Sequence, residues 1–275
     1  MWPMRLPARR SRPSWALMEF DDDLIACAQA VERGDPARFR AVMAAPVPAR
    51  AQLFPIYAFN LEVARAPWVT SEAMIGEMRL QWWRDALAEI AAGGLVRRHD
   101  VVTPLALALA PGIAEKLDLL VGARRWDLYR DAFEDQAHLE RYIEETGGLL
   151  LEAAATSLGP ADPQVARDAG YAAGLAAFLR AVPELEAKGR RPLVDGRPAA
   201  VAVLAEGGLD RLARARKGRG AVSPEAMPAF LATWEAEPIL KQAAREPARV
   251  ADGTLAINPA RSAARLALMR ATGRW

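Results

Sequence analysis

The stretch LRAVPELEAKGRRP, residues 179–192, closes the longest helix that the sequence predicts. Arg180 and Glu184 are four residues apart, so a helix places their side chains one turn apart on the same face. The basic residues at the end of the stretch complement the negative end of the helix dipole. Upstream, Asp162 followed by Pro163 is typical of a helix start, and the sequence therefore predicts a helix over 163–188.

The same start and stop signals recur along the rest of the chain. Asp35-Pro36, Thr103-Pro104 and Ser223-Pro224 repeat the pairing of a capping side chain with proline, and Gly93-Gly94 marks a helix end. The predicted helices span 21–33, 36–44, 48–66, 72–92, 104–122, 124–136, 138–158, 163–188, 198–217 and 224–244, with a last one after Asn258. Since no alternating strand pattern of useful length and no internal repeat is present, the chain is predicted to be all-α.

Charge and cysteine content exclude several classes of protein. The 275 residues include 36 basic and 34 acidic side chains, a balance that argues against a nucleic-acid partner. The basic run at 211–220 lacks the interleaved aromatic residues of a nucleic-acid site. Cys27 is the only cysteine, which excludes an internal disulfide and fits a reducing cytoplasm. We expect a cytoplasmic protein, and a peripheral contact with the inner face of the membrane stays open.

The amino-terminal segment differs in composition from the rest of the chain. The first 17 residues carry four arginines and no acidic residue, and they contain three prolines but no apolar core. We therefore predict a basic, disordered leader at 1–17 and a single helical domain at 18–275.

Two helices carry residues that point to a packing or binding role. Asn60 and Ala64 fall on one face of a predicted helix, which is either a core helix with one satisfied polar residue or a cavity wall. Gly147 and Gly148 interrupt a strong helical pattern, and each costs about 1 kcal/mol relative to alanine. Such a cost favours close approach of another backbone or of a ligand.

Three aspartates, Asp127, Asp131 and Asp135, are spaced like metal ligands on a helix face. Arginines lie among them, at positions 124, 125 and 130. The mixture of charges favours a salt-bridged surface helix over a metal site.

Five stretches resemble, in order and spacing, conserved segments of the squalene/phytoene synthase family. They are YAFNLEVAR (57–65), RLQWWRDAL (79–87), WDLYRDAF (126–133), LERYIEETGG (139–148) and AGLAAFLRAVPELEAKGRRPL (173–193). The resemblance implies an isoprenoid-synthase fold, an antiparallel helical bundle around a central cavity. Active members of the family condense two prenyl diphosphates head to head, and two D-x-x-x-D motifs on facing helices hold Mg²⁺ against the diphosphates.

This sequence departs from the family pattern at the metal site. The aspartates of the first motif align with Ala64 and Trp68, and those of the second align with Ala181 and Leu185. We therefore assign no catalytic residue and no metal ligand. The resemblance implies a cavity-lining or diphosphate-binding role for a larger set of residues. The candidates are Asn60, Glu62, Ala64, Tyr142, Gly147, Gly148, Arg180 and Glu184.

The resemblance is strongest to a degenerate branch of the family, which includes a mitochondrial assembly factor of respiratory complex I. It implies a non-catalytic binding or assembly factor without a cofactor. Its partner would be a prenyl-type lipid or prenyl diphosphate in the cavity, or a protein of a respiratory complex. The alternative is an active prenyltransferase with an atypical metal site, which alone would require Mg²⁺. A third hypothesis is a structural helical scaffold with a filled core.

Overall fold

A computed structural model describes residues 21–69 and 72–275, so the predicted leader at 1–17 lies outside the described residues. Within these ranges the chain forms thirteen α-helices and no β-strand, with one isolated bridge between Ala161 and Val222. The all-α prediction is confirmed. In the same ranges, no helix combines the length and apolar character needed to cross a bilayer.

The helices follow one another along the chain. They are α1 (Asp22–Gly34), α2 (Pro36–Ala44), α3 (Val47–Arg65), α4 (Ala73–Ala91), α5 (Val102–Ala108), α6 (Ile113–Ala123), α7 (Gln136–Ile143), α8 (Leu149–Leu158), α9 (Pro163–Ala187), α10 (Pro198–Lys217), α11 (Ala236–Arg245), α12 (Ala248–Ala251) and α13 (Pro259–Thr272). A π-helical turn, Glu144–Gly148, joins α7 directly to α8. The longest connection between two helices, residues 218–235, lies between α10 and α11.

Two of the four capping residues recognised in the sequence, Asp35 and Asp162, begin helices as expected, whereas Thr103 lies inside α5 and Ser223 precedes a turn that is not α-helical. The Asp35 carboxylate accepts a hydrogen bond from the backbone N–H of Arg38 at the start of α2. The Asp162 carboxylate does the same for Val165 at the start of α9. In both helices proline occupies the first position, where its missing N–H costs no hydrogen bond.

The predicted helix over 124–136 is wrong. Residues Arg124–Leu128 form a 3₁₀ turn, and the chain then runs irregularly to Asp135, which caps α7. The guanidinium group of Arg190 explains the difference, because it donates hydrogen bonds to the backbone carbonyls of Trp126, Asp127 and Tyr129. These hydrogen bonds satisfy carbonyl groups that the irregular segment leaves without helical partners.

Two other predicted helices are interrupted. The helix predicted over 104–122 divides into α5 and α6, and Gly112 adopts a left-handed conformation with φ of 76° just before α6. The helix predicted over 224–244 begins instead with a 3₁₀ segment, Met227–Thr233, which precedes α11.

The buried apolar residues form two clusters that α9 connects. The first cluster contains residues of α1 to α6 and α8, and the second contains residues of α7 and α9 to α12. Val165, Ala166 and Ala169 of α9 belong to the first cluster. From Tyr171 onward, the buried residues of α9 belong to the second.

Close backbone packing joins α9 to the π-helical turn. We call this contact the glycine seam, formed by Gly147, Gly148, Gly170 and Gly174. A Cβ atom on Gly147 would lie 2.8 Å from the carbonyl oxygen of Gly170, and one on Gly170 would lie 2.5 Å from that of Gly147. The expected close approach of another backbone at Gly147 is therefore confirmed, and only glycine allows it.

Candidate functional site

A cavity of about 450 Å³ lies beside the glycine seam. Its walls come from α3, the 3₁₀ turn at Arg124–Leu128, α7 with the π-helical turn, and α9. This volume is within the range of small-molecule binding sites in proteins. The cavity is therefore the candidate site.

One side of the cavity is lined by small or apolar side chains. Ala64 at the end of α3 and Trp68 just beyond it face the cavity, and so do Ala181 and Leu185 of α9. These are the four positions that the family resemblance aligns with metal-binding aspartates. The fold brings both segments to one cavity, but the side chains present there carry no oxygen atom.

The buried end of the cavity holds a hydrogen-bonded group of three side chains. The hydroxyl of Tyr142 donates to the Asp127 carboxylate, with the two oxygens 2.9 Å apart. The guanidinium of Arg124 donates to the Tyr142 oxygen at 2.8 Å and lies 3.1 Å from the same carboxylate. Burial raises the pKa of the Tyr142 hydroxyl well above its ordinary value, and the neighbouring Asp127 carboxylate raises it further despite the opposing charge of Arg124. Tyr142 therefore remains a neutral donor at physiological pH.

The interpretation of Asp127, Asp131 and Asp135 as a salt-bridged surface helix is wrong, because these residues lie in a 3₁₀ turn and an irregular segment rather than on one α-helix. Asp127 is only 4% exposed and lines the cavity, whereas Asp131 is exposed and Asp135 caps α7. The local sequence does not distinguish Asp127 from the other two aspartates, because its position depends on Tyr142 and Arg190, which lie further along the chain.

Asn60 lines the same cavity from α3 and is 4% exposed. Its side-chain oxygen is buried and has no hydrogen-bond partner. The Nε atom of Arg124 is also buried without a partner. Buried polar groups in proteins are nearly always hydrogen-bonded, so these two atoms mark where a bound molecule is expected to complete the site.

Each charged side chain that lines the cavity already has a partner of opposite charge. Lys188 at the rim is 2.6 Å from Glu184, and its ammonium group lies 4.4 Å from the centre of the Trp68 ring. Arg38 is 2.7 Å from Asp35. Together with the pair of Arg124 and Asp127, these contacts leave the lining nearly neutral.

Three of the candidate residues do not line the cavity. Arg180 points to Glu235, at 2.9 Å, because it is about 100° around the helix from Ala181. Glu62 is half-buried and lies 4.0 Å from Arg65, and Gly148 packs on the backbone of Arg167. The other five candidates, Asn60, Ala64, Tyr142, Gly147 and Glu184, do line it.

Sequence reasoning missed several lining residues. They are Arg38, Arg124, Asp127, Ile143, Thr146, Gly174, Phe178 and Lys188. Those on α9 follow the helical spacing of Ala177, Ala181 and Leu185, and this periodicity could have identified them.

The donor set of the cavity does not fit the magnesium site that the family resemblance implies. Mg²⁺ requires oxygen ligands, and the two carboxylates that line the cavity, Asp127 and Glu184, are each paired with a cation. In the part of the chain that the structure describes, no group of three or more His, Cys, Asp or Glu side chains is placed to hold a metal ion.

The fold is shared with solved structures of terpenoid enzymes. A dehydrosqualene synthase in complex with ligand is similar over 90% of this chain and 95% of its own, with a TM-score of 0.71 and 15% identity. Squalene synthase HpnC from Alicyclobacillus acidocaldarius is similar over 85% of this chain and 98% of its own, with a TM-score of 0.69 and 17% identity. The isoprenoid-synthase fold predicted from the sequence is therefore confirmed.

The sequence itself defines the family. The pattern of the squalene/phytoene synthase family matches residues 31–193, which is more than half of the chain. The chain belongs to this family.

Curated relatives carry the name NADH dehydrogenase (ubiquinone) complex I, assembly factor 6. The protein of Homo sapiens is 27% identical over 166 residues, covering 57% of this chain and 48% of its own. The homolog of Drosophila melanogaster is 29% identical over 167 residues, covering 57% of this chain and 50% of its own. The chain thus spans about half the length of the curated relatives it matches.

Proposed function

We propose that this protein is a non-catalytic member of the squalene/phytoene synthase family, which binds a ligand or partner during assembly of a respiratory complex. One observation carries the proposal. Ala64, Trp68, Ala181 and Leu185 line the cavity at the positions where the family resemblance places metal-binding aspartates. None of these side chains is able to coordinate Mg²⁺.

The electrostatics of the cavity also argue against diphosphate chemistry. Departure of a diphosphate requires that its developing negative charge be neutralised by metal ions or cations. The cations Arg38, Arg124 and Lys188 are each paired with a carboxylate. A substrate would have to break these pairs to use their charge, so ionisation of a prenyl diphosphate is not favoured.

The role in assembly comes from the relatives. Those proteins are named as complex I assembly factors, and we carry that role to this chain as a proposal. Respiratory complexes are assembled in a membrane. We therefore propose that this protein acts in the cytoplasm, at the inner face of the membrane.

An active prenyltransferase is the second candidate function. The observation in its favour is that two carboxylates, Asp127 and Glu184, face the cavity. For this function to hold, both would have to leave their present partners and bind metal.

A calorimetric titration separates the two functions. Farnesyl and geranylgeranyl diphosphate are titrated into the protein with and without Mg²⁺, and the mixtures are analysed for head-to-head condensation products. We expect no Mg²⁺-dependent binding and no product. Tight binding that needs Mg²⁺, together with product, would establish the prenyltransferase.

A variant with restored carboxylates serves as the control for this titration. It carries Ala64→Asp, Trp68→Asp, Ala181→Asp and Leu185→Asp. If the natural protein does not bind Mg²⁺ because these carboxylates are missing, Mg²⁺-dependent diphosphate binding is expected in this variant and not in the natural protein. Equal behaviour of the two proteins would show that these positions do not control metal binding.

The assembly role is tested in cells that lack the gene. The amount of assembled complex I on native gels and the NADH oxidation of membranes are expected to fall, and to recover when the gene is returned. An unchanged amount and activity of complex I would contradict the assembly role, but it would not bear on whether the cavity binds a ligand without metal.

A further inference from the structure

We propose that the cavity binds an uncharged amphiphile, with a hydroxyl head group at the buried end and an apolar chain along the wall of α9. The inference rests on the proposed function, because it takes the cavity to work without metal. It goes further by assigning the chemical class of the ligand and the side chains that recognise it.

The charge of the lining selects an uncharged head group. Arg38, Arg124 and Lys188 are balanced by Asp35, Asp127 and Glu184, respectively. An anionic head group would enter a site in which every described lining cation is already paired. Burying a charge without a compensating partner costs far more than burying a hydroxyl that is hydrogen-bonded.

The unpaired polar atoms select a hydroxyl in particular. The Asn60 oxygen is a buried acceptor without a donor, and the Arg124 Nε–H is a buried donor without an acceptor. A hydroxyl group both donates and accepts, so a hydroxyl head group is able to pair with either atom. The Tyr142 hydroxyl, which is also buried at this end of the cavity, already donates its hydrogen bond to Asp127.

The remaining walls select an apolar chain of limited length. Apolar side chains in the lining are supplied by Ile143, Ala177, Phe178, Ala181 and Leu185, together with the exposed Trp68. A volume of about 450 Å³ is in the range of small-molecule sites, and a sesquiterpene alcohol such as farnesol belongs to this size class.

The test compares two ligands that differ only in their head groups. Farnesol and farnesyl diphosphate are titrated into the full chain by calorimetry, each with and without Mg²⁺. We expect farnesol to bind at least about tenfold more tightly than the diphosphate, since a charged head group must be buried at a neutral site. Magnesium is expected to have no effect on either affinity.

Two matched variants test whether the hydroxyl head group binds near Asn60. Asn60→Leu removes the unpaired polar side chain that lines the cavity. Gln52→Leu removes another unpaired polar side chain of α3, equally buried but absent from the cavity lining. Loss of one hydrogen bond is expected to weaken farnesol binding by about tenfold in Asn60→Leu and to leave it unchanged in Gln52→Leu.

A third variant keeps the test decisive if Asn60→Leu fails to fold. Ala177→Leu narrows the apolar wall without changing Asn60, and it is expected to weaken farnesol binding by at least about tenfold. Far-ultraviolet circular dichroism of each variant confirms that the helices are retained.

The outcomes separate this inference from the proposed function. Diphosphate binding that is tighter than farnesol binding, with no Mg²⁺ requirement and no product, would overturn the inference alone. Diphosphate binding that requires Mg²⁺ and yields product would overturn both. Absence of farnesol binding, or equal farnesol affinity in the natural protein and in the cavity variants, would overturn the inference and leave the assembly role standing.

Discussion

Small residues occur in both halves of α9, but they allow close packing in the first half and line a cavity in the second. In its first half, Gly170 and Gly174 belong to the glycine seam, where an added Cβ atom would overlap the backbone of the π-helical turn. In its second half, Ala177 and Ala181 line a cavity of about 450 Å³. A small residue at the seam is required by packing, whereas a small residue at the wall leaves space for a ligand. Small residues in α9 therefore serve packing at the glycine seam and shape the cavity at its wall.

Paired charges hold the seam in place. The buried carboxylate of Glu152 in α8 lies 2.5 Å from both Lys116 and Arg167. On the other side of α9, the buried Asp168 carboxylate accepts two hydrogen bonds from Arg214 of α10. The second half of α9 lacks comparable ion pairs to other helices among the residues that line the cavity. The charged lining residues pair with neighbours in sequence instead. Substitutions at the glycine seam are therefore expected to lower the stability of the protein, whereas substitutions in the cavity wall are expected to weaken ligand binding.

The largest effect is expected at the seam. Gly170→Ala places a methyl group against backbone atoms that cannot rotate away, and it should lower the free energy of unfolding by about 3 kcal/mol. Urea denaturation followed by circular dichroism measures the change. The matched control is Gly207→Ala in α10, where a Cβ atom meets nothing within 4 Å. This control should gain up to about 1 kcal/mol, and equal losses in both variants would contradict the role of the seam.

Removal of the buried carboxylate beside the seam is expected to have the next effect. Glu152→Ala deletes two charge-assisted hydrogen bonds, but Lys116 and Arg167 are partly exposed and regain water. A loss of about 2 kcal/mol in the free energy of unfolding is therefore expected. The same denaturation experiment on Glu206→Ala, an exposed position of α10, should show a change within about 0.5 kcal/mol. If the two variants are equally stable, the charges do not stabilise this contact.

A substitution in the wall should show the reverse behaviour. Ala181→Leu extends into open space, so the free energy of unfolding is expected to change by less than about 1 kcal/mol. Binding of any ligand that fills the cavity should weaken at least about tenfold, as measured by calorimetry. A large loss of stability with binding retained would mean that the wall is packed like the seam.

The smallest effect concerns pH and the buried end of the cavity. Unfolded tyrosine loses its proton near pH 10, whereas burial raises the pKa of Tyr57 to about 12 and raises that of Tyr142 further. Between these pKa values the unfolded state binds fewer protons, so the free energy of unfolding should fall as the pH rises above about 10. Tyr142→Phe should be about 1 kcal/mol less stable at neutral pH. Its stability should also decline less steeply in alkali, and an unchanged slope would contradict the burial of this hydroxyl.

The predictable part of the structure is the part encoded locally. Asp35 and Asp162 identified helix starts because a capping side chain bonds to a backbone N–H three residues away. The four-residue spacing of Asn60 and Ala64 likewise placed both residues on one face of α3, and the structure places that face on the cavity. These features depend on neighbouring residues alone.

The unpredicted part depends on contacts that are distant in sequence. The turn around Asp127 forms because Arg190, 63 residues later, binds its backbone carbonyl. The π-helical turn at Gly147 is likewise packed against Gly170 of another helix. Arg180 matched the family pattern in sequence, but its side chain is drawn to Glu235, which local spacing does not reveal.

The central claim is that this cavity binds no metal, and electron paramagnetic resonance of Mn²⁺ tests it most directly. Manganese replaces magnesium at oxygen sites, and its free-ion signal disappears when the ion is bound. With farnesyl diphosphate held well below the Mn²⁺ concentration, the account predicts that adding the protein leaves the signal unchanged. The variant with aspartates at positions 64, 68, 181 and 185 should reduce it. A stoichiometric loss of signal with the natural protein would contradict the account.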